Sequence, residues 1–312
     1  MKPTFKEYLS KVTKEKKVHM RGHEGLSFYL AIEPLNRLKD LGVLTQKEVE
    51  QCLTVISMHG TLFDNINDTD GTMKKPEKVF EKFENSDDGL FLFNALVSQV
   101  KCDSLGRFYV SKDGRKSNAY KLGTEIFTEE QFLNHYATKT SSASNNNTDK
   151  NSPWLEVLVG VPGSGKSTYL ESKEGDYVII SRDDTLMRYA KANNIDGNYS
   201  AVWKQLSDED QKIIDQVLED DFKRAFNNKE NMVIDMTNMS NKGQRKWVNK
   251  CGNKYRAKAV VFATSYDEVQ RRLEKREKET GKSIPSEVVK TMMKGFGVPV
   301  RTNFTEVEFI HE

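Results

Sequence analysis

Between residues 155 and 263, short apolar runs alternate with longer amphipathic stretches. The runs lie at 155–159, 176–181 (Asp-Tyr-Val-Ile-Ile-Ser), 231–235 (Asn-Met-Val-Ile-Asp) and 256–263 (Arg-Ala-Lys-Ala-Val-Val-Phe-Ala). They are short, rich in β-branched residues and nearly all apolar, which predicts buried parallel strands covered on both faces. Helical patterns fall between them. The longest opens at Ser207-Asp-Glu-Asp, a capping-box-like start, and carries Ile213, Ile214, Val217 and Leu218. The alternation predicts an α/β fold in which right-handed crossovers build a parallel sheet.

The earlier part of the chain reads mostly helical. Leu26, Leu30, Ile32, Leu35 and Leu38 predict one apolar helix face, and Thr45-Gln-Lys-Glu predicts a capped helix carrying Val49, Leu53 and Ile56. Phe91 through Val100 predict another helix. Asp113-Gly114, after Phe108-Tyr-Val, predicts a small hairpin. Residues 138–152 contain almost nothing that could be buried and predict a flexible polar linker. The expected organisation is therefore a helical module at 1–137, a linker at 138–152 and an α/β module at 153–312.

Bulk properties narrow the class only a little. The chain has 312 residues, 30% of them charged, with a net charge of +2. That balance excludes a uniformly basic nucleic-acid coat, so anion binding must come from local patches. Cys52, Cys102 and Cys251 are scattered and odd in number, as expected of reduced thiols in a cytoplasmic protein. No apolar run approaches the ~20 residues of a membrane span, and the Lys-rich start lacks an apolar signal region. The stretch Asn65–Gly71 with Glu77 fails as a calcium loop, because Ile66 falls where an acidic ligand is required.

The first chemical motif follows the first predicted strand. Gly160-Val-Pro-Gly-Ser-Gly-Lys-Ser-Thr168 satisfies G-x-x-x-x-G-K-[ST]. Gly160, Gly163 and Gly165 let the backbone curl so that its N–H groups, with those around Ser164 and Thr168, face phosphate oxygens. The following helix turns its positive end to the same anion. Lys166 is placed to bridge the terminal phosphates of ATP and Ser167 to hold Mg²⁺.

Three further clusters point to where the phosphate goes. Ser181-Arg182-Asp183-Asp184 ends the second strand, where residues face the ligand crevice of a doubly wound sheet. A carboxylate there can take a proton from an attacking hydroxyl, although either Asp could instead cap a helix starting at Thr185. Asp235-Met-Thr237-Asn238 ends the third strand and offers acceptor-side polar groups, or else a capped turn. Arg272 and Arg276 share one face of a late helix that closes the module, and Arg is the preferred clamp for transferring phosphoryl charge. A solvated charged face is the other meaning of that run.

These motifs, together with Arg245, Trp247, Ile284-Pro285, Met292–Phe296 and Pro299, occur in one order. In that order the region resembles the 5′-OH polynucleotide kinase family of phages and RNA-repair enzymes, over nearly all of 153–300. The resemblance implies that Lys166 and Ser167 hold phosphates and metal and that Asp183 is the general base. It implies a lid of Arg276 and Arg272, and an acceptor-side motif containing Thr237 and Asn238. One position departs: Leu186 stands where a phage kinase of this family has an arginine for the acceptor phosphate, three residues after the base. Arg182 and Arg188 are then the nearest phosphate-contacting candidates, with Lys191 beyond them. The implied partner is a nucleic-acid 5′-OH end, RNA or DNA, with a repair ligase or a second copy of the chain as protein partners.

The N-terminal pattern His23-Glu24-x-x-Ser27, then His59-Gly60, then Asp103-x-Leu-Gly-Arg107 resembles the metal-dependent HD phosphohydrolase superfamily in part. The resemblance implies a transition metal held by His23, His59 and Asp103, but the His-Asp doublet is His59-Gly60. Three readings stay open for this module: an active phosphohydrolase on 2′,3′-phosphate ends, an HD-like fold serving nucleic-acid binding or assembly, and an unrelated helical module. For the whole chain the sequence also leaves open a P-loop kinase of a small molecule or nucleotide, and a non-catalytic nucleotide-gated nucleic-acid-binding protein.

Overall fold

The computed structural model describes residues 22–65, 80, 82–83, 88–106, 108–110, 116–118, 151–281 and 283–311. The helical part contains α1 (His23–Asp40), α2 (Gln46–Asn65) and α3 (Gly89–Gly106). Strands β1 (Phe108–Val110) and β2 (Lys116–Asn118) then pair antiparallel, as a hairpin requires. Asp113-Gly114, residues 138–150 of the expected linker and residues 66–71 of the rejected calcium loop lie outside the described residues.

In α1 the buried stripe is Gly25, Phe28, Tyr29 and Ile32. Two leucines of the expected face instead point outward, Leu30 at 55% and Leu38 at 39% exposure. Positions 25, 28, 29 and 32 follow the helical i, i+3, i+4, i+7 rule, and the aromatic rings, having more area to bury, decide which face turns inward. At Gly25 an added Cβ would lie 2.4 Å from the Met293 carbonyl oxygen, so α1 approaches the C-terminal region closely at this point. Phe28 and Tyr29 both pack on Phe296.

The C-terminal part runs β3 (Trp154–Val159), α4 (Lys166–Ser172), β4 (Val178–Ser181), α5 (Arg182–Ala192), α6 (Tyr199–Gln205), α7 (Asp208–Asn227), β5 (Met232–Asp235), α8 (Asn241–Cys251), β6 (Arg256–Ala263), α9 (Tyr266–Thr280), α10 (Ser286–Lys294) and β7 (Glu306–His311). The five strands form one sheet in the order β4-β5-β3-β6-β7, and every neighbouring pair is parallel. This is the α/β parallel-sheet architecture that the alternation predicts, preceded by a helical region. The capping box of α7 is complete: Ser207 Oγ accepts from the Asp210 N–H, and the Asp210 carboxylate accepts from the Ser207 N–H.

Two expectations change. Helix α9 does not close the module, because α10 and β7 follow it. Strand β7 escapes the sequence pattern because it is an edge strand, Glu-Val-Glu-Phe-Ile-His, whose polar residues alternate with apolar ones. Edge strands need no continuous apolar run. Lys258 of β6 lies 2.9 Å from Glu306 and 2.8 Å from Glu308, which fixes the register of this edge.

The central strand carries one buried charge. Glu156 is 4% exposed and accepts from Lys173 Nζ at 2.8 Å and Tyr169 Oη at 3.0 Å. Lys173 is also covered by the Tyr177 ring, 4.0 Å from its centroid. Removing one member of such a pair leaves the other buried and uncompensated. Glu156→Ala is expected to destabilise the protein by about 3 kcal/mol, read as a lower urea midpoint at unchanged slope. Glu156→Leu combined with Lys173→Met should recover most of that loss.

Candidate functional site

The carboxyl ends of β3, β4 and β5 converge at the crevice where the strand order reverses, and the candidate residues stand on these tips. The loop after β3 uses left-handed backbone at Gly163 (φ 84°) and Gly165 (φ 97°), conformations costly for any side chain. Gly165 ends the loop as the N-cap of α4, so the first-turn N–H groups of that helix open toward the loop. The loop is tied back to the sheet, since the Gly160 N–H donates to the Thr237 carbonyl at 3.0 Å. Ser167 and Thr168 are exposed at the start of α4.

Lys166 curls over this loop, donating from Nζ to the carbonyls of Gly160 and Val161 at 2.9 Å each. Burial pushes its ammonium down to about 8, against the opposing pull of Asp235 and Asp183. The sign is decided by the neutral form. Lys166 loses its charge as pH rises through about 8, whereas in the unfolded chain it keeps the proton to 10.5. Its charge therefore costs folding stability below pH 8, and stability is regained between 8 and 10.5. A polyphosphate favours the charged form. Nucleotide affinity is thus expected to hold steady up to pH 8 and to fall by about tenfold per unit above it, with Lys166→Arg abolishing the dependence; calorimetric titration across pH 7–9.5 measures this.

At the second tip, the helix begins earlier than expected. α5 starts at Arg182, and its N-cap is Ser181, whose Oγ accepts from the Asp184 N–H. Asp183 and Asp184 are therefore relieved of capping and lie in the first turn. Asp183 accepts a hydrogen bond from Tyr199, and burial together with this carboxylate pushes the Tyr199 phenol upward. Asp183 also lies within electrostatic reach of Lys166, Asp235 and Arg276. At the third tip, burial raises Asp235, with Lys166 opposing it.

Asn238 is buried, sits at φ 42°, and donates its amide to the Leu158 carbonyl at 2.9 Å, while its own carbonyl accepts from Gln244. Its side chain is spent on joining β3 to the β5 loop. Thr237 contributes its backbone carbonyl to the same junction.

The two lid candidates separate. Arg272 is bound to Glu268 at 2.6 Å, and the Arg271 and Arg272 hydrogen bonds with burial's opposition hold that carboxyl down at about 2. Arg276 instead has Nε and Nη2 buried without a hydrogen-bond partner among the described residues, and burial disfavours its charge while Asp183 supports it. Ser164 Oγ is likewise buried and unpartnered. A half-buried guanidinium with two orphaned donors suits an anion that is to be bound from outside. The loop, Lys166, Ser164, Ser167 and Arg276 therefore fit a triphosphate, and Ser167 with the nearby carboxylates fits Mg²⁺.

On the acceptor side, Leu186 is fully buried among Ala190, Val202 and Ile214. The position belongs to the packing face of α5, which accounts for the missing arginine. Arg182 is bound to Asp215 at 2.9 Å and Gln211 at 2.6 Å, and Arg188 to Asp221 and to Thr185.

In the helical region His23 and His59 meet, with 2.8 Å between their Nε2 atoms. His59 Nδ1 lies 2.6 Å from the Ile56 carbonyl, so in the neutral ring Nδ1 donates there and Nε2 is the acceptor that faces His23. Glu24 joins them, and the ligand atoms of His23, Glu24 and His59 lie within 4.8 Å of one another. A Cβ at Gly60 would fall 2.2 Å from Glu24 Oε1, so the Glu24 carboxylate occupies the space that a side chain at 60 would take. Glu24 was visible in the motif, but no sequence spacing could show it filling that place. Asp103 lies in α3, with its side chain outside the described residues. A polar cleft of about 190 Å³, lined in part by Glu24, Ser57, Asn241 and Lys294, opens beside the cluster.

Residues 155–299 match a family described as AAA domain, and no curated protein matches the chain. Among solved structures the chain is similar to one from the Pnkp1/Rnl/Hen1 RNA repair complex, at 27% identity over 49% of this chain and 46% of that one, with a TM-score of 0.40. It thus spans less than half the length of that protein. It is similar to a gluconokinase from Sinorhizobium meliloti 1021, at 17% identity over 52% and 84% of the two chains, TM-score 0.33. It is also similar to a chain of the PezAT toxin-antitoxin system of Streptococcus pneumoniae, at 15% identity over 59% and 78%, TM-score 0.37. The C-terminal region is an α/β domain with a five-stranded parallel sheet and a phosphate-loop sequence after its central strand, and no described helix is long and apolar enough to cross a membrane.

Proposed function

We propose that residues 153–312 transfer the γ-phosphate of ATP to the 5′-hydroxyl of a polynucleotide, RNA or DNA. The reading rests chiefly on Arg276, a half-buried cation with two buried nitrogens that have no hydrogen-bond partner among the described residues, within electrostatic reach of Asp183 and Lys166. The phosphates lie in the Gly160–Thr168 loop, and Lys166 exchanges its carbonyl partners for phosphate oxygens. Mg²⁺, held by Ser167, supplies neutralisation of phosphate charge when bound. Asp183, oriented by Tyr199, takes the proton as the 5′-oxygen attacks the γ-phosphorus. The bond from that phosphorus to the bridging oxygen breaks, and ADP leaves. Arg276 balances charge spreading over the transferring oxygens. Thr237, Asn238 and Asp235 shape the acceptor side of the crevice. Such a reaction makes 5′-phosphate ends, which a nucleic-acid ligase consumes, so a ligase or a second copy of the chain is the expected protein partner.

Incubation with labelled ATP, Mg²⁺ and 5′-OH oligonucleotides of RNA and DNA, alongside nucleosides and sugars, tests this. Label on an oligonucleotide is the expected result. Label on small acceptors alone would make the protein a small-molecule kinase. ATP binding with no transfer to any acceptor would make it a nucleotide-gated binding protein.

For the helical region, the convergence of His23, Glu24 and His59 favours a divalent transition-metal site, with Asp103 as a further ligand candidate. An HD-like phosphohydrolase of 2′,3′-phosphate ends follows from that reading. Equilibrium dialysis with Ni²⁺ or Mn²⁺ should show binding that His59→Ala removes; equal uptake by the variant would leave these helices a binding or assembly module.

A further inference from the structure

Beside the proposed base lies an aromatic pair: Tyr199, packed at the edge of a buried cluster, and Trp203, which lies outside it. Helix α6 is anchored by Val202, buried with Leu186, Ala190 and Ile214. The next residue, Trp203, is 44% exposed. Its ring is nevertheless fixed. The Arg182 guanidinium lies 5.1 Å from the ring centroid, and Arg182 is itself bound to Asp215 at 2.9 Å and Gln211 at 2.6 Å on α7. Tyr199 stacks beside Trp203, centroids 6.2 Å apart and planes 22° from parallel. The same Tyr199 hydrogen-bonds Asp183. A connected series therefore runs from the carboxylate through Tyr199 to an open, braced indole.

We propose that Tyr199 and Trp203 form a stacking platform for the 5′-terminal nucleobase of the polynucleotide acceptor. The assignment deepens the kinase reading and rests on it. A hydroxyl at Asp183 carries its own base into the neighbourhood of the platform, since both aromatic residues stand on the helix whose Tyr199 touches that carboxylate. Stacking is tolerant of sequence because every base has a π-face, and an indole already held in place loses little freedom on binding. Arg182 then serves as a brace for Trp203, its donors being committed to α7, and phosphate contact is not needed from it. A sugar or other small acceptor without an aromatic ring would gain nothing from this surface.

The test compares 5′-OH oligonucleotides with an intact or an abasic 5′-terminal nucleotide. For the wild-type protein the abasic acceptor should raise the acceptor KM by about tenfold or more, with far less effect on the KM for ATP. Trp203→Ala should raise the KM for the intact acceptor by a similar factor and leave the abasic one little changed, while Trp203→Phe keeps most of the discrimination. Equal KM values for the two acceptors, or equal losses on both in Trp203→Ala, would overturn the platform while the kinase reading stands. Equilibrium binding of the same oligonucleotides separates the remaining cases. Base-dependent binding that needs Trp203, without transfer, would keep the platform and sink the kinase; neither binding nor transfer would remove both.

Discussion

Arg276→Ala lowers the rate of phosphoryl transfer by about a thousandfold or more, the range found for arginines that meet the transferring phosphoryl group. The expectation follows from a contrast within one helix. Arg272 is neutralised by Glu268, whereas the Arg276 nitrogens Nε and Nη2 are buried and unpartnered. Arg276→Lys should rescue little, because an ammonium cannot reproduce the planar fork. The second readout is stability. A half-buried cation with two buried, unsatisfied donors costs folding free energy, so Arg276→Met should unfold no earlier than the wild type in thermal melts without nucleotide. The stabilisation conferred by ATP should shrink in the same variant. Loss of activity with a clearly lowered melting point would mean that Arg276 is a structural residue.

Asp183→Asn should reduce kcat by about 10²- to 10⁴-fold, the usual contribution of a general base. The amide is nearly isosteric with the carboxylate and can still accept from Tyr199, which isolates proton abstraction from orientation. Equilibrium ATP binding should change little, because the donor phosphates are held by the loop and Lys166. Asp184→Asn serves as the control, with a loss of tenfold or less. Equal loss in both variants would assign the effect to the net charge of this first turn rather than to one base. Tyr199→Phe should give an intermediate loss, seen in kcat more than in the acceptor KM.

The sequence carried the parallel-sheet half of this molecule because local rules suffice there. A phosphate loop is a contiguous segment whose glycines, lysine and hydroxyl act on one ligand, so spacing alone located it. Strands buried on both faces need continuous apolar runs, and the runs at 155–159, 231–235 and 256–263 correspond to β3, β5 and β6. Strand β7 was invisible because its edge position permits alternating glutamates. The apolar face of α1 was legible in part: Ile32 is buried and Leu26 and Leu35 pack on the core, but Phe28 and Tyr29, which pack on Phe296 more than 260 positions away in the chain, leave Leu30 and Leu38 outside.

What only the tertiary structure decided was the distribution of partners among like residues. The sequence offers Arg272 and Arg276 as lid candidates and Arg182 and Arg188 as acceptor-phosphate candidates. Three are tied to carboxylates of their own or a neighbouring helix, and Arg276 keeps buried donors unused. It likewise offers two adjacent aspartates and a helix cap, and the fold gives the cap to Ser181. It shows a His-Gly pair where a doublet was expected, and only packing brings the Glu24 carboxylate into the space above Gly60. Motifs report which chemistry a chain can perform because covalent spacing sets them. Which side chain of several is left free to perform it depends on contacts between distant segments, and those exist only once the chain is folded.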